Sequence, residues 1–288
     1  MSSCVWVFLI ALGRRTLHLL GMTHLLVRRG CRYFVGVGLA AVVLGIAGCN
    51  TVPVTGRKQF NTMPAGEEMQ LGFSEFGKMK NSVPINRDPD LNALVQRVGR
   101  RIAAVASPDM PNAQWEFVVF ESREANAFCL PGGKVGIYTG ILPITRDENG
   151  LATVMGHEVA HAVARHGGER ISQANAIKTV GAGLGIAVSG SQYGALATAA
   201  YGMTAQLGVA LPHSRKQESE ADEIGLVYMA RAGFPPATAV EFWQRFAQYN
   251  RQQGKSTPWF LRTHPLDDQR IADLQKLLPK AQVQFKNP

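Results

Sequence analysis

His157-Glu158-Val159-Ala160-His161 constrains this chain more than any other run in it. An α-helix turns about 100° per residue, so side chains four apart stand on one face, one turn from each other. Two imidazoles placed that way reach a single tetrahedral Zn²⁺. The Glu beside the first imidazole projects next to the metal, where it can hold and deprotonate a water. A zinc hydrolase takes three protein ligands and leaves the fourth position to water. The fold must therefore put residues 157–161 on a helix and bring at least one more ligand to its metal face.

His166 is the nearest candidate, but it lies five residues after His161, half a turn off that face. A metzincin spacing would also need Gly and His where Ala164 and Gly167 stand. His166 is expected to be a surface or helix-end residue. The better candidate lies in Ser214-Arg215-Lys216-Gln217-Glu218-Ser219-Glu220-Ala221-Asp222, where Glu218 and Asp222 are again four apart and Glu220 points elsewhere. Glu218 can complete a His₂Glu site, and Asp222 can accept the free N–H of a ligand imidazole. A solvated acidic helix face accounts for that spacing equally well.

Composition excludes some classes. The formal charge is +9, but residues 1–48 hold Arg14, Arg15, Arg28, Arg29 and Arg32 and no acid. Without them 25 basic residues face 21 acidic ones, a net +4 and an ordinary solvated surface. No Lys/Arg block with interleaved aromatics occurs, so no nucleic-acid partner is expected. Arg28, Arg29 and Arg32 followed by uncharged Val35 to Ala47 read as an export signal, with Met22 a possible true start. Ile46-Ala47-Gly48-Cys49 resembles a bacterial lipobox, which makes Cys49 the lipidation site. A single membrane-spanning anchor is the alternative, although the stretch is short and lacks a positive flank after it. Asn50, which is not an Asp, then favours the inner leaflet of the outer membrane by the sorting rule that goes with that lipoprotein resemblance. Once Cys4, Cys31 and Cys49 are set aside only Cys129 remains, so no internal disulfide is expected.

Residues 49–66, with Pro53, Gly56 and Pro64, read as a tether, and 67–288 as one domain. Glu67 to Lys80 and Asp90 to Ala106 carry helical periodicity, the second with Asp88 as N-cap and Pro89 in the first turn. Trp115 to Phe120 is β-rich, and Asn126 to Leu142 reads as two extended segments around Pro131-Gly132-Gly133. Asp147 or Asn149 starts the helix that carries the two histidines, and Gly167-Gly168 ends it. Helices are also expected over Glu218 to Ala232, Ala237 to Gln252 and Pro265 to Leu278. The glycine-rich stretch 179–212, uncharged throughout, suits small-residue helices packed on the domain or dipping into a membrane surface; a true span is the alternative.

His157-Glu158-Val159-Ala160-His161, Glu218-Ser219-Glu220-Ala221-Asp222 and Thr263-His264-Pro265 occur in the order seen in the M48 metallopeptidases of the Ste24, HtpX and Oma1-like kind. Asn126-Ala127-Phe128, Pro131-Gly132-Gly133 and Tyr138-Thr139-Gly140 resemble that family's upstream strands. The likeness runs from about Glu67 to Leu278 and is nearest to the Oma1-like bacterial lipoprotein branch; Arg262 stands where a small residue often precedes Thr-His-Pro. It implies an α+β, zincin-like (gluzincin) domain, mostly helical, with a small sheet whose edge strand flanks the cleft. It further implies one Zn²⁺ held by His157, His161 and Glu218, with Glu158 as general base and Asp222 behind a ligand imidazole. His264 matches a histidine near the metal, which stabilises the oxyanion or caps the zinc in a latent state; capping the helix begun by Pro265 is its plain structural role. Lys134 to Gly140, with Val135, Gly136, Ile137 and Tyr138, becomes the edge strand to which an extended peptide adds, and Asn126 helps hold that strand or the substrate. The implied function is a zinc endopeptidase acting on unfolded or misassembled cell-envelope proteins; the alternative is a chaperone-like peptide-binding protein with a latent site. Cys129, with an apolar neighbour on each side and no local base, is not expected to act as a nucleophile.

Overall fold

The computed structural model describes residues 49–188, 211–253, 258–266 and 268–286. The expected export signal in 1–48 and most of the glycine-rich stretch lie outside them. Among the described residues no helix is long and apolar enough to cross a membrane.

Two short strands, β1 (Cys49–Thr51) and β2 (Lys58–Phe60), pair with each other. Helices α1 (Ala65–Ser82) and α2 (Pro89–Ala106) follow, then strands β3 (Glu116–Phe120), β4 (Ala127–Leu130) and β5 (Lys134–Tyr138). The single turn α3 (Leu142–Thr145) leads into α4 (Glu148–Val163) and α5 (His166–Val188). The remaining elements are α6 (Leu211–Arg231), α7 (Ala237–Gln252), the short α8 (Trp259–Thr263) and α9 (Asp268–Gln282).

The larger sheet has the order β3-β5-β4, with β3 parallel and β4 antiparallel to β5. The β4–β5 connection needs φ of +85° at Gly132 and +82° at Gly133, which only glycine adopts without strain. Alternation then sorts the faces. Phe117, Val119, Val135 and Ile137 join the main core, while Val118, Phe120 and Tyr138 pack with Phe76 of α1. With both faces covered, every residue of β5 is buried. The expected edge strand is thus corrected: Val135, Gly136 and Ile137 have partners on both sides, and β4 is the edge nearer the histidines.

Gly150 to Val163 of α4 are all buried, so this is a central helix, apolar except for Thr153, His157, Glu158 and His161. Asp147 caps it by accepting a hydrogen bond from the Gly150 amide at 2.9 Å. Its end departs from expectation. The chain breaks at Arg165, where φ is +53°, and Gly167-Gly168 lie inside the next helix. Across α4 runs α6, and their backbones meet at two glycines. A Cβ on Gly225 would stand 3.0 Å from the His157 amide nitrogen, and one on Gly156 3.1 Å from the Gly225 oxygen.

Residues 50–61 are no loose tether. Val52, Gln59 and Asn61 are buried, and Asn61 donates to Glu68, which also takes Arg165. Ser172 of α5 accepts from the Thr62 amide at 3.0 Å.

The glycine crossing predicts that Gly225→Val, by overpacking a helix contact, costs about 1–3 kcal/mol of stability. Denaturant unfolding of the metal-free protein measures it, and a zinc titration of the same variant should show weakened binding because α4 and α6 are pushed apart.

Candidate metal centre

The same crossing brings α4 and α6 close enough to share a ligand set. His157 and His161 lie on α4, Glu218 on α6, and His264 directly follows α8. His157 Nε2 stands 3.1 Å from His161 Nε2 and 3.3 Å from His264 Nδ1. Glu218 oxygens lie 3.4 Å from His157 Nε2, 3.3 Å from His161 Nε2 and 3.1 Å from His264 Nδ1. Around a tetrahedral ion with bonds of about 2.05 Å, ligand atoms stand about 3.3 Å apart. The spacing matches, and these four residues form a group able to hold a metal ion.

The outward-facing nitrogens fix the proton positions. His157 Nδ1 lies 2.9 Å from Asp222 Oδ1, so its proton sits there and the Nε2 lone pair faces the other ligands. His161 Nδ1 lies 2.9 Å from His166 Nδ1, and His166 Nε2 lies 3.0 Å from Glu220 Oε2. Glu220 takes the His166 Nε2 proton, which leaves His166 Nδ1 to accept from His161 Nδ1–H. His161 Nε2 is then also a bare lone pair. Two imidazole lone pairs and a carboxylate converging in a buried pocket are suited to a cation.

Electrostatics agree with that assignment at His161 and His166, and pull against it at His157. Burial holds His161 well below the ordinary imidazole range and lowers His166 too. For His157 burial acts downward, but its hydrogen bonds to Asp222 and Glu218 raise it above that range. Burial also opposes ionisation of Glu218, yet the imidazoles of His157, His161 and His264 around it hold it far below the usual carboxylate range. Burial pushes Glu158 up to about 7. Its Oε1 is buried without a hydrogen-bond partner, 3.5 Å from His264 Nε2. A carboxylate with a free buried oxygen beside a ligand cluster has room for a water or a substrate N–H.

Arg270 of α9 was not legible in advance. Its guanidinium grips Asp222 through Nε at 2.6 Å and a second nitrogen at 2.9 Å, and reaches Glu218 at 3.1 Å while lying over the Trp243 ring. One sequence signal existed: Arg270 shares the buried stripe of α9 with Leu274 and Ala281, where a charge requires a partner. His166 stands at a helix end as expected, the first residue of α5, but not at the surface. It is fully buried, because the break at Arg165 turns it back onto His161, whereas a continuous helix would aim it about 140° away. As expected, Glu220 points away from the ligand set.

A cleft of about 680 Å³ opens beside Glu158, His161 and His264 and runs along Asn126 to Pro131. Asn126 and Tyr138 line it; Val135, Gly136 and Ile137 do not. The Asn126 side chain accepts from the Ala127 amide, and its carbonyl accepts from the Tyr138 amide, so it secures the start of β4. Cys129 is buried, and burial with the Glu158 charge raises its thiol far above the ordinary range, which disfavours a thiolate nucleophile. Arg262 is exposed and leaves His264 in the cluster.

A helix-borne histidine pair, an acidic ligand from a later helix and a carboxylate beside them define a zinc metallopeptidase. The model of peptidase family M48 matches residues 89–278, and this chain belongs to that family. It is 36% identical over 242 residues to the mitochondrial metalloendopeptidase OMA1 of Schizosaccharomyces pombe, covering 81% of this chain and 67% of that one. The Saccharomyces cerevisiae protein of the same name is 33% identical over 80% of this chain and 69% of its own. The beta-barrel assembly-enhancing protease of Escherichia coli O157:H7 is 30% identical over 78% of this chain, but the match spans only 46% of that protein.

Glu218→Ala should lose zinc outright, while Glu220→Ala should still take up one equivalent when supplied with excess metal. Metal content after equilibration with zinc and desalting checks both, and equal content would show that the third ligand is another residue.

Proposed function

We propose that this metallopeptidase is an endopeptidase of the bacterial cell envelope that cuts unfolded or misassembled proteins. In this reading it is lipid-anchored through Cys49 to the inner leaflet of the outer membrane and faces the periplasm. The observation that carries the substrate class is the free edge of β4 alongside Glu158 in the cleft. In an antiparallel pair, main-chain groups face the partner at alternate residues. The Tyr138 amide bonds the Asn126 carbonyl, so the Ala127 carbonyl and the main-chain groups of Cys129 turn outward to the cleft, while the Asn126 side chain holds the Ala127 amide. Only a segment released from its own fold can add a strand there, which selects extended chain over folded protein. The lipobox-like Ile46 to Cys49 supports the location. The name of the Escherichia coli relative points to the assembly of β-barrel proteins as a setting.

His157, His161 and Glu218 would hold one Zn²⁺. When bound it polarises the scissile carbonyl and makes a nearby water acidic, with a pKa near ~7. Asp222 and His166 keep the two imidazoles aimed by accepting hydrogen bonds from their Nδ1–H groups. Glu158 accepts the proton from the attacking water and delivers it to the leaving amine. A covalent acyl intermediate is not needed, and β4 keeps the peptide aligned throughout.

A second reading, a peptide-binding protein with a latent site, is favoured by one observation. His264 Nδ1 occupies the fourth vertex of the ligand set, where it closes the site until it swings out. In the full chain, Glu158→Gln should keep zinc and lose at least about 100-fold of casein-cleaving activity. Zinc present with no turnover in wild type would establish the latent reading. Backbone N-methylation of a peptide substrate at alternate residues should raise KM several-fold in one register and not the other. Equal effects in both registers would rule out strand addition.

A further inference from the structure

The hairpin between β1 and β2 reaches the metal centre by a chain of hydrogen bonds that is buried from Glu220 inward. Its Arg57 donates through Nε to Glu220 at 2.7 Å and through its terminal nitrogens to Glu169 at 2.7 and 2.9 Å. Thr55, two residues earlier, donates its hydroxyl to the other Glu220 oxygen at 2.6 Å. Gln217 donates to Glu169 at 2.7 Å, which closes the network against α6. Both oxygens of Glu220 are therefore fixed by the hairpin, and one of them also takes His166 Nε2. His166 in turn faces His161 Nδ1. Glu169, Glu220 and His166 are all buried, while Thr55 and Arg57 are partly exposed.

We propose that His166 and Arg57 are positioning residues of the metal centre: the hairpin aims Glu220, Glu220 holds His166, and His166 sets the orientation and tautomer of His161. The inference rests on His161 being a zinc ligand. The physical argument is one of directions. An imidazole binds metal well only when its other nitrogen has a fixed acceptor, and His166 supplies that acceptor in place of the carboxylate that serves His157. His166 can accept at Nδ1 only while its proton is held at Nε2, which is what Glu220 does. Without Arg57 and Thr55 the Glu220 carboxylate has no reason to face His166. The β1–β2 hairpin thereby takes part in aiming the metal ligands.

Zinc affinity of the full chain, measured by competition with a chromophoric chelator, tests this. Loss of a hydrogen-bond partner behind a metal ligand costs about 10–100-fold in affinity. His166→Leu should fall in that range, whereas His166→Asn, whose amide oxygen replaces the Nδ1 acceptor, should recover most of it. Arg57→Gln should weaken binding by about tenfold, and Thr55→Val, which removes one hydroxyl only, by a few-fold. Should Arg57→Gln fail to fold, Thr55→Val carries the test. The double variant Arg57→Gln/His166→Leu should bind no more weakly than His166→Leu alone, because both act through one chain. The visible spectrum of the Co²⁺-loaded protein should shift in His166→Leu and Arg57→Gln, a change that general destabilisation does not produce. Wild-type affinity in both single variants, or strictly additive losses in the double, overturns the inference. A wild-type chain that takes up no zinc overturns the metal reading itself.

Discussion

Lone pairs pointed at one another in a dry interior repel unless a cation shares them. That constraint organises this protein. His157 Nε2 and His161 Nε2 lie 3.1 Å apart, with one Glu218 oxygen 3.4 Å from the first and the other 3.3 Å from the second, and each imidazole is held through its other nitrogen, on the side away from the cluster. Much of the fold arranges those partners. Asp222 and His166 hold the imidazole protons, Arg270 holds Asp222 and touches Glu218, and Glu220 holds His166. A site assembled this way is pre-aimed, since the ligands cannot rotate without breaking buried hydrogen bonds.

The substrate side follows a different logic. Catalysis on unfolded chain, the substrate class proposed above, needs little side-chain recognition and much alignment. A free strand edge offers that, and the remaining strands must be covered to avoid offering it elsewhere. Here β5 is sealed between β3 and β4, and α1 covers one face of the sheet with Phe76 against Phe120 and Phe128. The cleft brings that edge to Glu158.

The elements most readable in the sequence were those whose reasons are local. Asp88 and Asp147 cap helices with their own side chains, the Pro131-Gly132-Gly133 turn requires glycine at positive φ, and the stripe from Leu94 to Ile102 marks one face of α2. The ligand pair on α4 and Glu218 on α6 belong to this group, because spacing within one helix settles which side chains share a face. The misplaced edge strand and the misread His166 belong to another. A strand buried on both faces shows the same residues wherever it stands in a sheet, so strand order was not local information. His166 turned on a single break at Arg165, a residue with no intrinsic preference for positive φ.

By itself, then, the amino-acid order determined the chemistry: two imidazoles and a carboxylate beside a base, on helices whose register follows from 100° per residue. Tertiary structure alone decided which groups stand behind them. Arg57, Glu220, His166 and Arg270 meet across separations of 48 to 163 residues, and no periodicity encodes such pairings. They form because a buried charge must find a partner, and only the packed chain determines which partner is within reach.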